Sequence, residues 1–118
     1  MKLIEAVENN DVELVRKLIK EGHDINVKTI NGHTPLVLAS LYGRKEIAIE
    51  LIIAGASLNE KNIVGKTALD YNKEMWKSFD IQDVILEKCP EYYSLLSEKV
   101  GINEDVLRKL KMKHILSL

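Results

Sequence analysis

The chain has 118 residues, 46% of them apolar and 30% charged, a balance that fits one globular domain with a modest core. Its 17 Lys and Arg against 18 Asp and Glu leave a formal net charge of −1, so no whole-chain attraction to nucleic acid or anionic membrane is expected. The single cysteine, Cys89, excludes an internal disulfide and fits a reducing compartment.

The first stretch, MKLIEAVENNDVE, carries Glu5 and Glu8 where a secretory signal would be apolar. No apolar run approaches the roughly 18–20 residues of a membrane span. The expected location is therefore cytoplasmic, or outside the cell by a route that leaves no N-terminal signature. A first helix is expected from the opening residues, with Lys2, Glu5 and Glu8 on its polar face. Asp11 and Glu13 begin a second helix that ends at Gly22.

The next stretch, NGHTPLVLAS, places a Gly and a Thr-Pro pair before a nearly unbroken apolar run. Thr34 can cap a helix by accepting a free backbone N–H of the first turn. Pro35 then sits at the first helical position, where its missing N–H costs nothing and its φ is already helical. The spacing predicts a helix over about 35–42, closed by Gly43 in a left-handed conformation. A second helix over about 45–53 carries Ile47, Ala48, Leu51 and Ile52 as a buried stripe. Gly55 ends it, and a polar excursion from Asn59 to Gly65 turns back into the next unit.

Sliding the sequence by 33 residues shows that this unit repeats. Gly32 falls on Gly65, Thr34 on Thr67, Leu36 on Leu69, and Leu3 on Leu36. Ala6 falls on Ala39, Leu18-Ile19 on Leu51-Ile52, Gly22 on Gly55, and Asn26 on Asn59. The matching positions are glycines, small residues and core apolars, the kinds that a structural repeat needs. One helical hairpin cannot bury its own apolar stripe, whereas stacked neighbours can.

In the third unit Thr67 is again a cap, and Asp70 is placed to reach back to it and to favour the helix dipole. The register then fails: Trp76 stands where the unit would have Gly, and WKSFDIQDVILEK fits a second helix only after a one-residue insertion. Pro90 breaks the chain. EYYSLLSEKV reads as a helix closed by Gly101. Asn103 caps a last helix with Glu104 and Asp105 at its start and Lys109, Lys111, Lys113 and His114 toward its end. Its stripe of Val106, Leu107, Leu110 and Ile115 is expected to cover the open end of the stack, or to form a partner or dimer surface.

The 33-residue period and the segments GHTPLVLA, GASLN and GKTALD resemble ankyrin repeats over residues 1–88. The resemblance implies an all-α fold: an ankyrin-type helical-hairpin solenoid of two and a half to three repeats, about 1–28, 29–61 and 62–88. Residues 89–118 would form a helical C-terminal cap packed on the last repeat. The family pattern T-P-L-H is departed from at Val37. Ile4 and Asp70 hold the matching positions, so packing is expected to replace the family's histidine network in the first two units. The TALD-type third unit resembles a repeat that closes a stack.

Catalytic signals are sparse. His23, His33 and His114 are far apart, with no metal-ligand spacing, so no cofactor or metal is expected. Cys89 has no base beside it. GRKE at 43–46 has too few glycines for a phosphate loop. The basic run Arg108, Lys109, Lys111 and Lys113 lacks an aromatic platform and reads as a solvated helix end rather than a nucleic-acid site. No enzymatic activity, small-molecule substrate, nucleic acid or membrane partner is expected. The enzyme alternative would need a pocket joining Asp80 or Asp83 to His114.

The resemblance implies that another protein docks on the hairpin tips and the exposed face of the first helices. By position these are Glu8 and Asn9 in the first unit, and Lys28, Ile30, Asn31 and His33 at the first tip. Leu41 and Tyr42 follow on the middle helix. Lys61, Ile63, Val64 and Lys66 form the second tip, continuing to Glu74 and Met75. Ile30, Leu41, Tyr42, Ile63, Val64 and Met75 are apolar where a plain solvent surface would be polar, which independently favours a contact surface. Packing of Ile30 on Ile63 between hairpins is the alternative for those two. The alternative function is a small inhibitor or immunity-type protein that blocks one enzyme or toxin.

Overall fold

A computed structural model describes residues 2–101 and, beyond them, Asp105, Arg108, Lys109, Met112, Lys113 and Leu116. Two helical hairpins open the chain with identical proportions: α1 (Lys2–Glu8) and α2 (Val12–Lys20), then α3 (Pro35–Leu41) and α4 (Lys45–Ile53). A 3₁₀ turn (Ala68–Asp70), the short α5 (Lys73–Trp76) and α6 (Phe79–Lys88) form the third unit. A second 3₁₀ turn (Pro90–Tyr92) leads into α7 (Tyr93–Val100).

Capping fixes where these helices begin. The Thr34 hydroxyl accepts the Val37 N–H at 3.1 Å, with Pro35 at the first helical position. Asp11 does the same for the Leu14 N–H at 3.1 Å. Gly43 ends α3 at φ +69, where a Cβ would meet the Asn72 side chain at 2.7 Å. The dihedral is what demands glycine here, since the Asn72 amide is the end of an exposed side chain that could shift.

The helices stack in two layers. α1, α3 and the Ala68–Asp70 turn lie side by side in one, and α2, α4 and α6 in the other. α3 has neighbours on both sides as well as below, so Pro35 through Ser40 are all buried. That explains why PLVLAS is apolar almost all round. Its one buried hydroxyl, Ser40, donates back to the Leu36 carbonyl at 2.9 Å and so is satisfied. Ile4 and Val37, at the family's histidine positions, are both buried in the common core, so packing fills those sites.

The third unit departs from the other two. Its first helix is only a 3₁₀ turn, because the chain extends at Tyr71 and turns left-handed at Asn72, φ +38. Asn72 then caps α5 by accepting the Met75 N–H. Trp76, expected to open a long second helix, instead ends α5, and α6 starts only at Phe79. The reason lies in the core: the Trp76 side chain is fully buried, and its indole N–H donates to the Ala68 carbonyl at 3.1 Å. Met75 is buried beside it and is not part of the surface, a correction to its expected exposure.

α7 follows Tyr92 and is closed by left-handed Gly101, as the sequence suggests. It packs on the 3₁₀ turn Ala68–Asp70, on α5 and on α6. The expected cap at Asn103 and the stripe Val106, Leu107, Leu110 and Ile115 lie outside the described residues.

Asp70 closes the capping arrangement. Its carboxylate accepts the Thr67 N–H at 2.8 Å and the Thr67 hydroxyl at 3.1 Å, and receives Lys99 of α7 at 3.1 Å. Burial alone would raise this carboxyl, but the bonds from Thr67 and Lys99 outweigh it and hold it below the usual carboxylate value. Asp70→Asn is expected to cost about 1–2 kcal/mol at neutral pH. Because the folded carboxyl titrates below the unfolded one, the contribution is full above roughly pH 4 and fades as pH falls through the folded value. Urea melts should therefore show variant and wild type separated at neutral pH and converging in acid; an unchanged gap at low pH contradicts this assignment.

Candidate functional site

Two hairpin loops project between the units, and they are built alike. In the first, the Gly32 N–H donates to the Thr29 carbonyl at 2.8 Å and the Thr29 N–H to the His33 carbonyl at 3.0 Å. In the second, Gly65 and Asn62 repeat both bonds, to Asn62 and Lys66 at 3.0 and 2.9 Å. The Thr29 hydroxyl accepts the His33 N–H at 3.1 Å, and the Asn62 side-chain amide oxygen accepts the Lys66 N–H at 3.0 Å. Threonine and asparagine thus perform one task 33 residues apart, as side-chain acceptors that compete for loop amides.

The loops touch. The Ile63 N–H donates to the Asn31 carbonyl at 3.1 Å, and the Lys28 ammonium pairs with Glu60 at 2.8 Å. A Cβ on Gly32 would lie 3.1 Å from the Asn62 Cα and from the Ile63 nitrogen, so backbone approaches backbone here. Below this contact the buried Asn62 donates to the Tyr71 hydroxyl at 2.6 Å, with the His33 ring at 3.5 Å. Sequence reasoning missed Asn62 and Tyr71 as the posts of the second loop. The available signal was the alignment of Asn62 with Thr29.

The tips carry their apolar side chains outward. Ile30 is 97% exposed, Ile63 72% and Val64 66%. The two isoleucines therefore do not bury one another. Leu41 and Tyr42, at the end of α3, are also exposed, and the Arg44 guanidinium lies 5.9 Å from the Tyr42 ring centre. Arg44 also donates to the Glu8 carbonyl at 3.1 Å, tying the first unit to the middle one. Glu8, Asn9, Lys28, Asn31, Lys61, Lys66 and Glu74 are exposed, while His33 is half-buried under the loop. Of the expected contact residues, only Met75 is removed by burial.

Nothing comparable gathers around the groups with reactive potential. Among the described residues no three of His, Cys, Asp and Glu cluster in a way that would hold a metal. Burial, with the neighbouring Glu91 charge, raises the Cys89 thiol and disfavours the reactive thiolate. Asp80 pairs with Lys45 at 3.1 Å and Asp83 with Lys113, while His114 lies outside the described residues. No helix among the described residues is long and apolar enough to cross a membrane.

Residues 3–92 match the family model for ankyrin repeats, in three copies. The chain belongs to the ankyrin repeat family. Over 62 residues it is 36% identical to protein phosphatase 1 regulatory subunit 12A of Mus musculus, covering 52% of this chain and 6% of that protein. Over 70 residues it is 37% identical to the ankyrin repeat protein FPV031 of fowlpox virus (strain NVSL), covering 57% of this chain and 20% of the viral one. The chain therefore spans only a small part of these relatives. Among solved structures, the human ASB11 ankyrin repeat domain superposes with a TM-score of 0.56 at 26% identity, covering 87% of this chain and 41% of that one. The ankyrin repeat protein EF0377 gives 0.66 at 20% identity, covering 86% and 63%. Ankyrin repeats generally mediate protein–protein interaction and are typically not enzymes.

The close approach of the two ankyrin tips makes a direct prediction. Gly32→Ala places a methyl against the Asn62–Ile63 backbone at a left-handed φ, at a cost of about 1–3 kcal/mol. Hydrogen exchange of the Ile63 amide should accelerate more than that of the α4 core amides. Equal acceleration throughout would mean that the tips are not held by this contact.

Proposed function

We propose that this ankyrin repeat chain is a non-catalytic module that binds a partner protein through its hairpin tips and the exposed end of α3. The observation that supports this reading most is the exposure of Ile30, Ile63 and Val64 on two tips joined by a backbone hydrogen bond. Turn centres ordinarily hold Gly, Asn, Asp or Ser. Aliphatic side chains there gain nothing from folding and become favourable only when something covers them. Leu41 and Tyr42 extend the apolar surface from the tips along the first-helix layer, and tyrosine is favoured at interface centres. Glu8 and Asn9 on one side, and Glu74 on the other, would form its polar rim. Within the expected extension 89–118, α7 would serve to cover the third repeat.

A rigid platform suits such work. Pre-formed tips lose little conformational freedom on association, so more of the contact energy appears as affinity.

The test pairs recovery with mutation. Tagged chain purified from its native cell should retain a defined protein in stoichiometric amount. The double variant Ile30→Glu, Ile63→Glu should lose that protein, with affinity falling about 100-fold or more if each isoleucine contributes as an interface anchor does. Its thermal midpoint should stay near that of wild type, since both side chains are solvent-exposed. Retention of the same protein by the folded double variant would exclude the tips as the binding surface.

A further inference from the structure

The charges around the tips are not balanced. Lys28 is neutralised by Glu60 at 2.8 Å, and Glu74 by Lys77 at 3.1 Å. Lys61 and Lys66 are exposed and form no ion pair among the described residues; Lys66 rests 5.7 Å from the Tyr71 ring centre. These two lysines bracket Ile63 and Val64 in sequence, in a loop whose ends the Asn62–Lys66 bonds hold together. The second tip is thus a cationic frame around aliphatic side chains, on a chain whose net charge is −1. The carboxylates of Glu5 and Glu8 belong to α1, at the repeat positions of Leu38 and Leu41, and not to this loop.

We propose that the second tip selects an acidic segment of its partner: Asp or Glu side chains set beside an aliphatic or aromatic anchor. The anchor covers Ile63 and Val64 together with Ile30, and the carboxylates meet Lys61 and Lys66. This rests on the reading of the tips as the binding surface and adds the chemistry of what they receive. Opposite charge at the rim speeds encounter and rejects basic competitors, while the apolar centre supplies the affinity.

Other occupants fit less well. A second copy docked tip to tip, with the two-fold axis through the second tip, would bring Lys61 and Lys66 near the same lysines. Single-stranded nucleic acid needs aromatic faces for its bases, and this tip offers isoleucine and valine instead. An anionic membrane surface would accept two lysines and three aliphatic side chains, but the frame holds few charges for surface attachment, each contributing about 1 kcal/mol or less.

Selection from a displayed random-peptide library tests this on the full chain. Wild type should enrich sequences with Asp or Glu next to Ile, Leu, Phe or Trp. Synthesised winners should shift the Ile30, Ile63 and Val64 amide signals of the nitrogen-15-labelled chain. They should bind about tenfold or more weakly to Lys61→Glu, Lys66→Glu, and weaken similarly on going to about 0.5 M salt. The milder Lys61→Ala, Lys66→Ala variant should show the same direction, and selection on the charge-reversed chain should enrich Lys and Arg. Winners that bind the tips without acidic enrichment overturn the proposal and leave the tip surface standing. Winners that map elsewhere, or none from either selection, overturn both. Tighter tip binding by a single-stranded oligonucleotide, or by vesicles containing phosphatidylserine, also overturns the proposal.

Discussion

No helix fully within the described residues exceeds the ten residues of α6, and α1 and α3 have seven each. Isolated helices shorter than about 12–15 residues are marginal in water. The fold therefore depends on neighbour burial: each hairpin is stabilised by the next, and α3 by both. This dependence explains a graded sequence. α1 alternates buried Leu3, Ile4, Ala6 and Val7 with exposed charge, whereas α3, packed on two sides, has no charged residue at all.

The repeat was legible because its determinants are local. A threonine that accepts an amide three residues on, a proline after it, and glycines with positive φ are all written at fixed offsets. So were α2 and α4, whose bounds follow from Asp11, Gly22 and Gly55. The third unit was not legible to the same degree. Asn72 adopts a left-handed conformation for reasons of tertiary fit: its side chain lies against Gly43 and caps α5. Trp76 satisfies its indole on Ala68, eight residues back, across a break that no periodicity announces. Met75 was misplaced with it, because a one-turn helix following a break carries no usable stripe.

The tips were half legible. Their exposure could be expected from position, and twelve of fourteen residues are exposed. The bonds that support them could not, since these run between loops 33 residues apart and from Asn62 to Tyr71. The alternative for the isoleucines, mutual burial, fails because the inter-loop hydrogen bond uses backbone and leaves both side chains free to point away.

The segment after α6 bears on the tips as well as on the third unit. Tyr92 accepts from Asn59 at 2.8 Å at the start of the second loop, and Lys99 reaches Asp70 at 3.1 Å just beyond its end. The loop that carries Ile63, Val64 and the two exposed lysines is therefore fastened on both sides by residues that follow α6. The first loop has a different support, the Asn26 side-chain amide oxygen accepting the Ser57 N–H of the following unit at 3.1 Å. In a stack each loop leans on the unit that follows it. For the second loop that role falls to the third unit through Tyr71, and to the chain beyond Pro90 through Tyr92 and Lys99. Exposed pairs such as Lys99–Asp70 contribute little alone, but several bonds converging on one short loop restrict it more than any one would. Under the proposed reading, a tip held in this way would meet its partner already shaped, and the ordering cost of binding would fall on the partner.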